Sequence, residues 1–129
     1  MRGIGMYKVI AWACVLGPAL SVAAYADGDA TLGKRQFAPC TSCHTTDAGA
    51  PDKVGPNLHG IFGRKAGSKP DFAYSDAMKN SGISWDAAKI DTFITKPSAL
   101  VPGTKMGFLG IANEEVRVNI IAYLQQATK

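Results

Sequence analysis

The chain has 129 residues, a formal net charge of +4 and a mean hydropathy of +0.01. This length suits one domain with a modest core. The small charge excess and the lack of a basic tract exclude a nucleic-acid-binding balance, and the scattered lysines read as a solvated surface.

Residues 1–26 read as a cleaved secretory signal peptide. Arg2 and Lys8 charge its front, Val9 to Ala24 runs without charge, and Ala24-Tyr25-Ala26 is a small-x-small site with cleavage expected before Asp27. The apolar run falls short of the roughly 20 residues needed to span a bilayer, and Gly17-Pro18 breaks it. A lipid-modified Cys14 is disfavoured: Ala11, not a large aliphatic residue, stands three before it, and the apolar run continues past it. The expectation is a single domain over residues 27–129, exported to the periplasm, without stable membrane insertion after cleavage. Its formal charge falls to +2 once Arg2 and Lys8 are removed from the +4 of the whole chain, and Cys40 and Cys43 are its only cysteines.

Asp29 to Ala38 is predicted as a short helix with Leu32 and Phe37 inward. It runs into Cys40-Thr41-Ser42-Cys43-His44. Two cysteines three apart with a histidine directly after the second form the c-type haem attachment pattern. On a helical turn, positions i, i+3 and i+4 share one face, so Cys40, Cys43 and His44 can meet one flat ligand together. The thiols would add to the two haem vinyl groups as thioethers, and the imidazole would bind the iron. The competing readings are a redox dithiol and half of a zinc site. Zinc needs two more ligands, yet no second Cys-x-x-Cys follows and His59 is the only other histidine. A thioredoxin-like dithiol needs an apolar βαβ context, and none is visible. His44 favours one covalent haem c. Export also fits, because haem is attached to such sites on the far side of the membrane, where the oxidising compartment permits these cysteines to pair before attachment.

Residues 45–73 hold Gly49, Pro51, Gly55, Pro56, Gly60, Gly63, Gly67 and Pro70, and read as a long loop region. Loops of this length in a small domain usually serve a function, and wrapping a cofactor edge is one. Tyr74 to Asn80 is predicted as a short helix stopped by Gly82. Ser84 is the expected cap of a further helix to about Thr95, with Asp86 near its positive end. Pro97 stops that helix, and Pro102-Gly103 makes a turn. Asn113 caps a last helix with Glu114 and Glu115 in its first turn, and Val116, Ile120, Tyr123, Leu124 and Ala127 give it an apolar face. No strand alternation is visible. The predicted fold class is all-α, helices joined by long loops.

A haem iron held by one histidine has a free sixth position, for which Met78, Met106 and His59 are the candidates. Met106 follows Val101-Pro102-Gly103-Thr104-Lys105, a stiff turn able to hold a side chain in place. Met78 lies in a predicted helix, where a buried methionine is usually packing. Local context favours Met106 and leaves the other two open. A thioether at this position suits electron transfer, since it closes the iron to oxygen and peroxide and raises the potential relative to bis-histidine ligation.

Cys40-Thr41-Ser42-Cys43-His44, Gly55-Pro56-Asn57-Leu58-His59-Gly60, Gly63-Arg64-Lys65, Gly82-Ile83-Ser84-Trp85, Pro102-Gly103-Thr104-Lys105-Met106 and Ile121-Ala122-Tyr123-Leu124 occur in this order along the chain. In order and spacing the sequence resembles the small soluble class I cytochromes c, the mitochondrial-type branch and its bacterial relatives, over nearly all of residues 29–129. The resemblance implies the cytochrome c fold, with His44 as fifth and Met106 as sixth iron ligand. It implies that the Pro56 carbonyl accepts the proton of the ligand imidazole. It implies that Trp85 and Tyr74 hydrogen-bond an inner haem propionate, with Arg64 offsetting its charge. Plain core aromatics with a satisfied polar tip are the alternative for Trp85 and Tyr74. Gly33 and Phe37, with Ile120 and Tyr123, resemble the crossing of the terminal helices.

Some positions depart from the family pattern. Phe93 stands where a tyrosine is usual near the methionine ligand, and Met78 where an asparagine is usual. Ser98 and Ala99 replace common lysines, which leaves Lys34, Lys53 and Lys105 for a cationic patch and implies weaker steering to an acidic partner. The function implied is that of a monomeric periplasmic one-electron carrier, not an enzyme. Its implied partners are redox proteins: a quinol-oxidising complex on one side, and a terminal oxidase, photosynthetic reaction centre or periplasmic reductase on the other. The rival is a haem enzyme of peroxidase type, or a subunit that feeds electrons into one dehydrogenase. A peroxidase needs an open sixth site and a distal acid-base pair. Met106 opposes the first, and His59 alone is available for the second.

Overall fold

The computed structural model describes residues 27–129; the segment read as a signal peptide lies outside them. The elements in chain order are α1 (Ala30–Gln36), a 3₁₀ turn (Ala38–Ser42), α2 (Asp76–Lys79), α3 (Ala87–Thr95), α4 (Pro97–Leu100) and α5 (Glu114–Ala127). Among the described residues the only β pairing is one antiparallel bridge, Lys65 to Ser84. The fold is all-α, as the sequence implies.

The helix starts follow from capping chemistry. The Asp29 carboxylate accepts from the N–H groups of Thr31 and Leu32 at 2.8 and 2.9 Å, and Asn113 Oδ1 accepts from Val116 N–H at 3.2 Å. The sequence reading placed the cap of α3 at Ser84. The structure corrects this: Asp86 is the cap and accepts from Lys89 N–H at 2.7 Å, while Ser84 is taken up by the bridge to Lys65. Pro97 ends α3 and also begins α4, where its missing N–H costs nothing at the first helical position.

The terminal helices α1 and α5 pack directly on each other. Gly33 is the point of closest approach, and a Cβ there would fall on the backbone carbonyl of Asn119. Phe37 on one side stacks against Tyr123 on the other, ring centroids 5.3 Å apart. Asn119 Oδ1 accepts from Asp29 N–H at 2.8 Å, tying the start of α1 to the middle of α5.

Residues 45–73 carry little regular structure but are tied down by side chains. Asn57 is buried; its amide donates to the carbonyls of Asp47 and Ala50 at 2.8 and 2.9 Å and accepts from His59 N–H at 2.9 Å. Asp52 accepts from Asn57 N–H at 2.7 Å and pairs with Lys69 at 2.8 Å. Both bonds hold the Asp52 carboxyl below its usual range, the Lys69 bond foremost. A carboxylate depressed in the folded state adds stability that is present above its unfolded value and lost as pH falls through the folded one.

Gly33→Ala is expected to lower stability by about 1–3 kcal/mol, toward the upper end because the obstacle is backbone, read by urea denaturation. Asp52→Asn is expected to be less stable than wild type at pH 7. The gap should close as pH drops below roughly 4, read by the same method at pH 7 and pH 3.

Candidate haem site

The helices and the long loop enclose a cavity of about 430 Å³, within the size range of sites for small ligands and cofactors. Its wall is largely apolar: Leu58, Ile61, Met78, Ile90, Phe93, Ile120 and Leu124 belong to it. Every site residue expected from sequence also lines it, namely Cys40, Cys43, His44, Pro56, Arg64, Tyr74, Trp85 and Met106. Of the three candidates for a sixth iron ligand, Met106 and Met78 are in the wall and His59 is not. The buried Nδ1 of His59 has no hydrogen-bond partner among the described residues.

The cysteine turn presents the attachment residues. The 3₁₀ turn closes with Cys43 N–H and His44 N–H both donating to the Cys40 carbonyl, at 3.1 and 2.9 Å. Cys40 and Cys43 are free and half-buried. Burial pushes the Cys40 thiol up, and Cys43 beside it adds to the effect. A redox-active thiol needs the opposite shift, so the dithiol reading loses support. The zinc reading fares no better, since among the described residues no group of three or more His, Cys, Asp or Glu side chains is placed to hold a metal ion.

His44 is held from behind. Its Nδ1–H donates to the Pro56 carbonyl at 2.8 Å, which leaves Nε2 as the nitrogen able to bind a metal. Burial lowers the imidazole's proton affinity and the Pro56 bond partly opposes this, which favours the neutral ring that a ligand must be. Gly55 completes the cradle, since a Cβ there would collide with the imidazole ring. The sequence reading assigned no role to Gly55; its place beside Pro56 was the available signal.

At the polar end, Arg64 donates to the carbonyls of His59 and Asn57, each at 3.1 Å, and so is fixed to the loop backbone beside the cavity. Burial raises the Tyr74 phenol, with the Arg64 charge acting in the opposite direction. Trp85 is buried and packs on Phe93, ring centroids 5.1 Å apart. Phe93 therefore offers a hydrophobic face to the cavity and no hydroxyl. At the rim, Val54 is 82% exposed although it lines the cavity. Lys105 also lines it and donates to the Ala73 carbonyl at 3.2 Å. Lys53 donates to the Thr41 carbonyl at 2.7 Å, next to the cysteines.

These residues fit a haem. The donor set is two thiols, an oriented imidazole and a thioether around one apolar space, and glycine leaves room for the imidazole where any side chain would close on it. Among the described residues no helix is long and apolar enough to cross a membrane.

Comparison with known proteins agrees with this chemistry. A family model for cytochrome c matches residues 30–128. A cytochrome c2 from Rhodomicrobium vannielii is 47% identical over 112 residues, covering 85% of this chain and 90% of that protein. A cytochrome c-550 from Bradyrhizobium diazoefficiens is 49% identical over 100 residues, covering 78% and 74%. The solved structure of cytochrome cH from Methylobacterium extorquens superimposes with a TM-score of 0.72 at 44% identity, covering 77% of this chain and 99% of that one. With an attachment turn, an oriented histidine and an apolar cavity in a matching fold, the chain belongs to the cytochrome c family: electron carriers rather than enzymes, which hold haem c covalently through a Cys-x-x-Cys pair, here Cys40 and Cys43.

Proposed function

We propose that this protein is a periplasmic one-electron carrier in which Cys40 and Cys43 are the thioether sites, His44 is the fifth iron ligand and Met106 the sixth. The observation that carries this reading is that His44, with its Nδ1 already committed to Pro56, lines the same apolar cavity as Met106. Bound haem supplies a one-electron ferric/ferrous couple. The protein's share of the work is environment. Leu58, Ile61, Ile90, Phe93, Ile120 and Leu124 keep water from the metal and lower the local dielectric. Arg64, Tyr74 and Trp85 are the groups to receive the propionates, with the fixed guanidinium offsetting their charge. Met78, buried in the short helix α2, is read as packing.

A peroxidase-type reading needs an open sixth position and a distal acid-base pair. Met106 in the cavity wall and His59 outside it speak against both. The apolar run and the Ala24-Tyr25-Ala26 site support export with cleavage before Asp27, leaving residues 27–129 as the mature domain. The partners in this reading are a quinol-oxidising complex as donor and a terminal oxidase, reaction centre or periplasmic reductase as acceptor. They would dock at the rim, where Val54 supplies apolar contact and Lys53 and Lys105 supply positive charge.

The oxidised protein is expected to show the weak long-wavelength band of methionine sulfur on ferric haem, and Met106→Ala should abolish it. Loss of the band in Met78→Ala with retention in Met106→Ala would overturn the ligand assignment. Electron transfer to an anionic partner should slow as salt rises, less steeply than for a lysine-rich homologue. A rate independent of ionic strength in stopped-flow measurements would remove the cationic patch from the docking step.

A further inference from the structure

Arg117 is the most heavily engaged buried charge among the described residues. It lies on α5 with its side chain only 10% exposed. Its Nε donates to Asp91 Oδ1 on α3 at 2.8 Å. Its Nη1 donates to the carbonyls of Ile111 and Ala112 at 3.0 and 2.9 Å. A buried ion pair is weak evidence for net stability, because desolvation offsets the attraction. The value of such a pair lies in the geometry it enforces.

That geometry concerns the segment carrying Met106. Residues 101–113 contain no helix. Before Met106 the segment is held by buried Val101, whose N–H donates to Pro97 at 2.9 Å, and by the Thr104 N–H to Val101 bond at 3.0 Å. Among the described residues, Met106 N–H itself reaches only the Thr104 hydroxyl, at 3.3 Å. After Met106, among the described residues, the next backbone bond is Ile111 N–H to the Ile94 carbonyl at 2.8 Å. Gly110, with φ of 110°, lies directly against the Thr95 carbonyl. The return of the segment to the helices is held by the Ile111 backbone bond, the Gly110 approach, the packing of Ile111 on the core, the Asn113 cap on α5 and the guanidinium of Arg117. Asp91, which does not line the cavity, sets the direction of that guanidinium.

We propose that Arg117, aimed by Asp91, is the positioning residue of the Met106 segment: its fork clamps the Ile111 and Ala112 carbonyls and so keeps the thioether at the iron. The inference rests on Met106 being the sixth ligand. A lysine cannot replace the fork, since one ammonium on a flexible stem cannot hold a carboxylate and two carbonyls in fixed directions.

The test titrates ferric holoprotein with imidazole, an outside ligand that can bind only when Met106 leaves, and follows the methionine-sulfur band. Arg117→Lys and Arg117→Met should keep the band without imidazole and lose it at imidazole concentrations lower by about tenfold or more, the scale of one charge-assisted hydrogen bond. Asp91→Asn should shift the titration in the same direction by less. Ile121→Ala is the control, because it truncates a fully buried core residue outside the cavity wall. It should lower global stability yet leave the imidazole titration close to wild type. Equal shifts in the Arg117 variants and in Ile121→Ala would overturn the proposal, as would unshifted Arg117 variants. If Arg117→Met does not fold, Arg117→Lys and Asp91→Asn decide alone. Met106→Ala separates the two layers: a band that survives it refutes the ligand assignment, whereas a band that it abolishes, with unshifted Arg117 variants, refutes only the clamp.

Discussion

The structure depends on the fact that its core is built around a space that side chains do not fill. Ile61, Met78, Trp85, Ile90, Phe93, Ile120 and Leu124 belong at once to the hydrophobic core and to the cavity wall. Protein interiors are otherwise close-packed. The cofactor is therefore part of the core, and the covalent link through Cys40 and Cys43 keeps it there.

The rest of the architecture reads as a way to enclose that space with few residues. The terminal helices close one side, and Gly33 lets their backbones come within reach of each other. The irregular stretch from 45 to 73 closes another. It keeps its shape because Asn57, Asp52 and Arg64 satisfy the backbone groups that a helix or sheet would otherwise pair. The same loop delivers Gly55 and Pro56 to the back of His44. Loop order and imidazole orientation thus meet in consecutive residues, Pro56 on His44 and Asn57 on the loop backbone.

The two sides of the site are held by different physics. His44 is fixed locally: its ring is bonded by Pro56, hemmed by Gly55 and attached to a turn that already carries both cysteines. Met106 sits in a segment without a helix, so its place is imposed from outside by α3 and α5 through Ile94, Thr95 and Arg117. In the proposed ligand set the methionine side is therefore the one with less local support. Phe93 and Met78 also lie in the cavity wall.

What the sequence determined alone was the chemistry with short range. The Cys40–His44 turn needs only helical spacing to gather its three side chains, and the caps at Asp29 and Asn113 need only the next turn of chain. Resemblance to a family then supplied the long-range partner Pro56, which no local pattern could pair with His44. Local reading placed the α3 cap two residues early at Ser84, because a serine before a helix and a serine in a bridge look alike until Lys65 is brought beside it. It also treated α5 as an apolar face and passed over Arg117 and Asn119. Both are polar by type, and both are buried because their partners, Asp91 and the start of α1, lie 26 and 90 residues away in the chain. Burial of a polar group is decided by whether a partner reaches it, and only the tertiary structure brings those partners into reach.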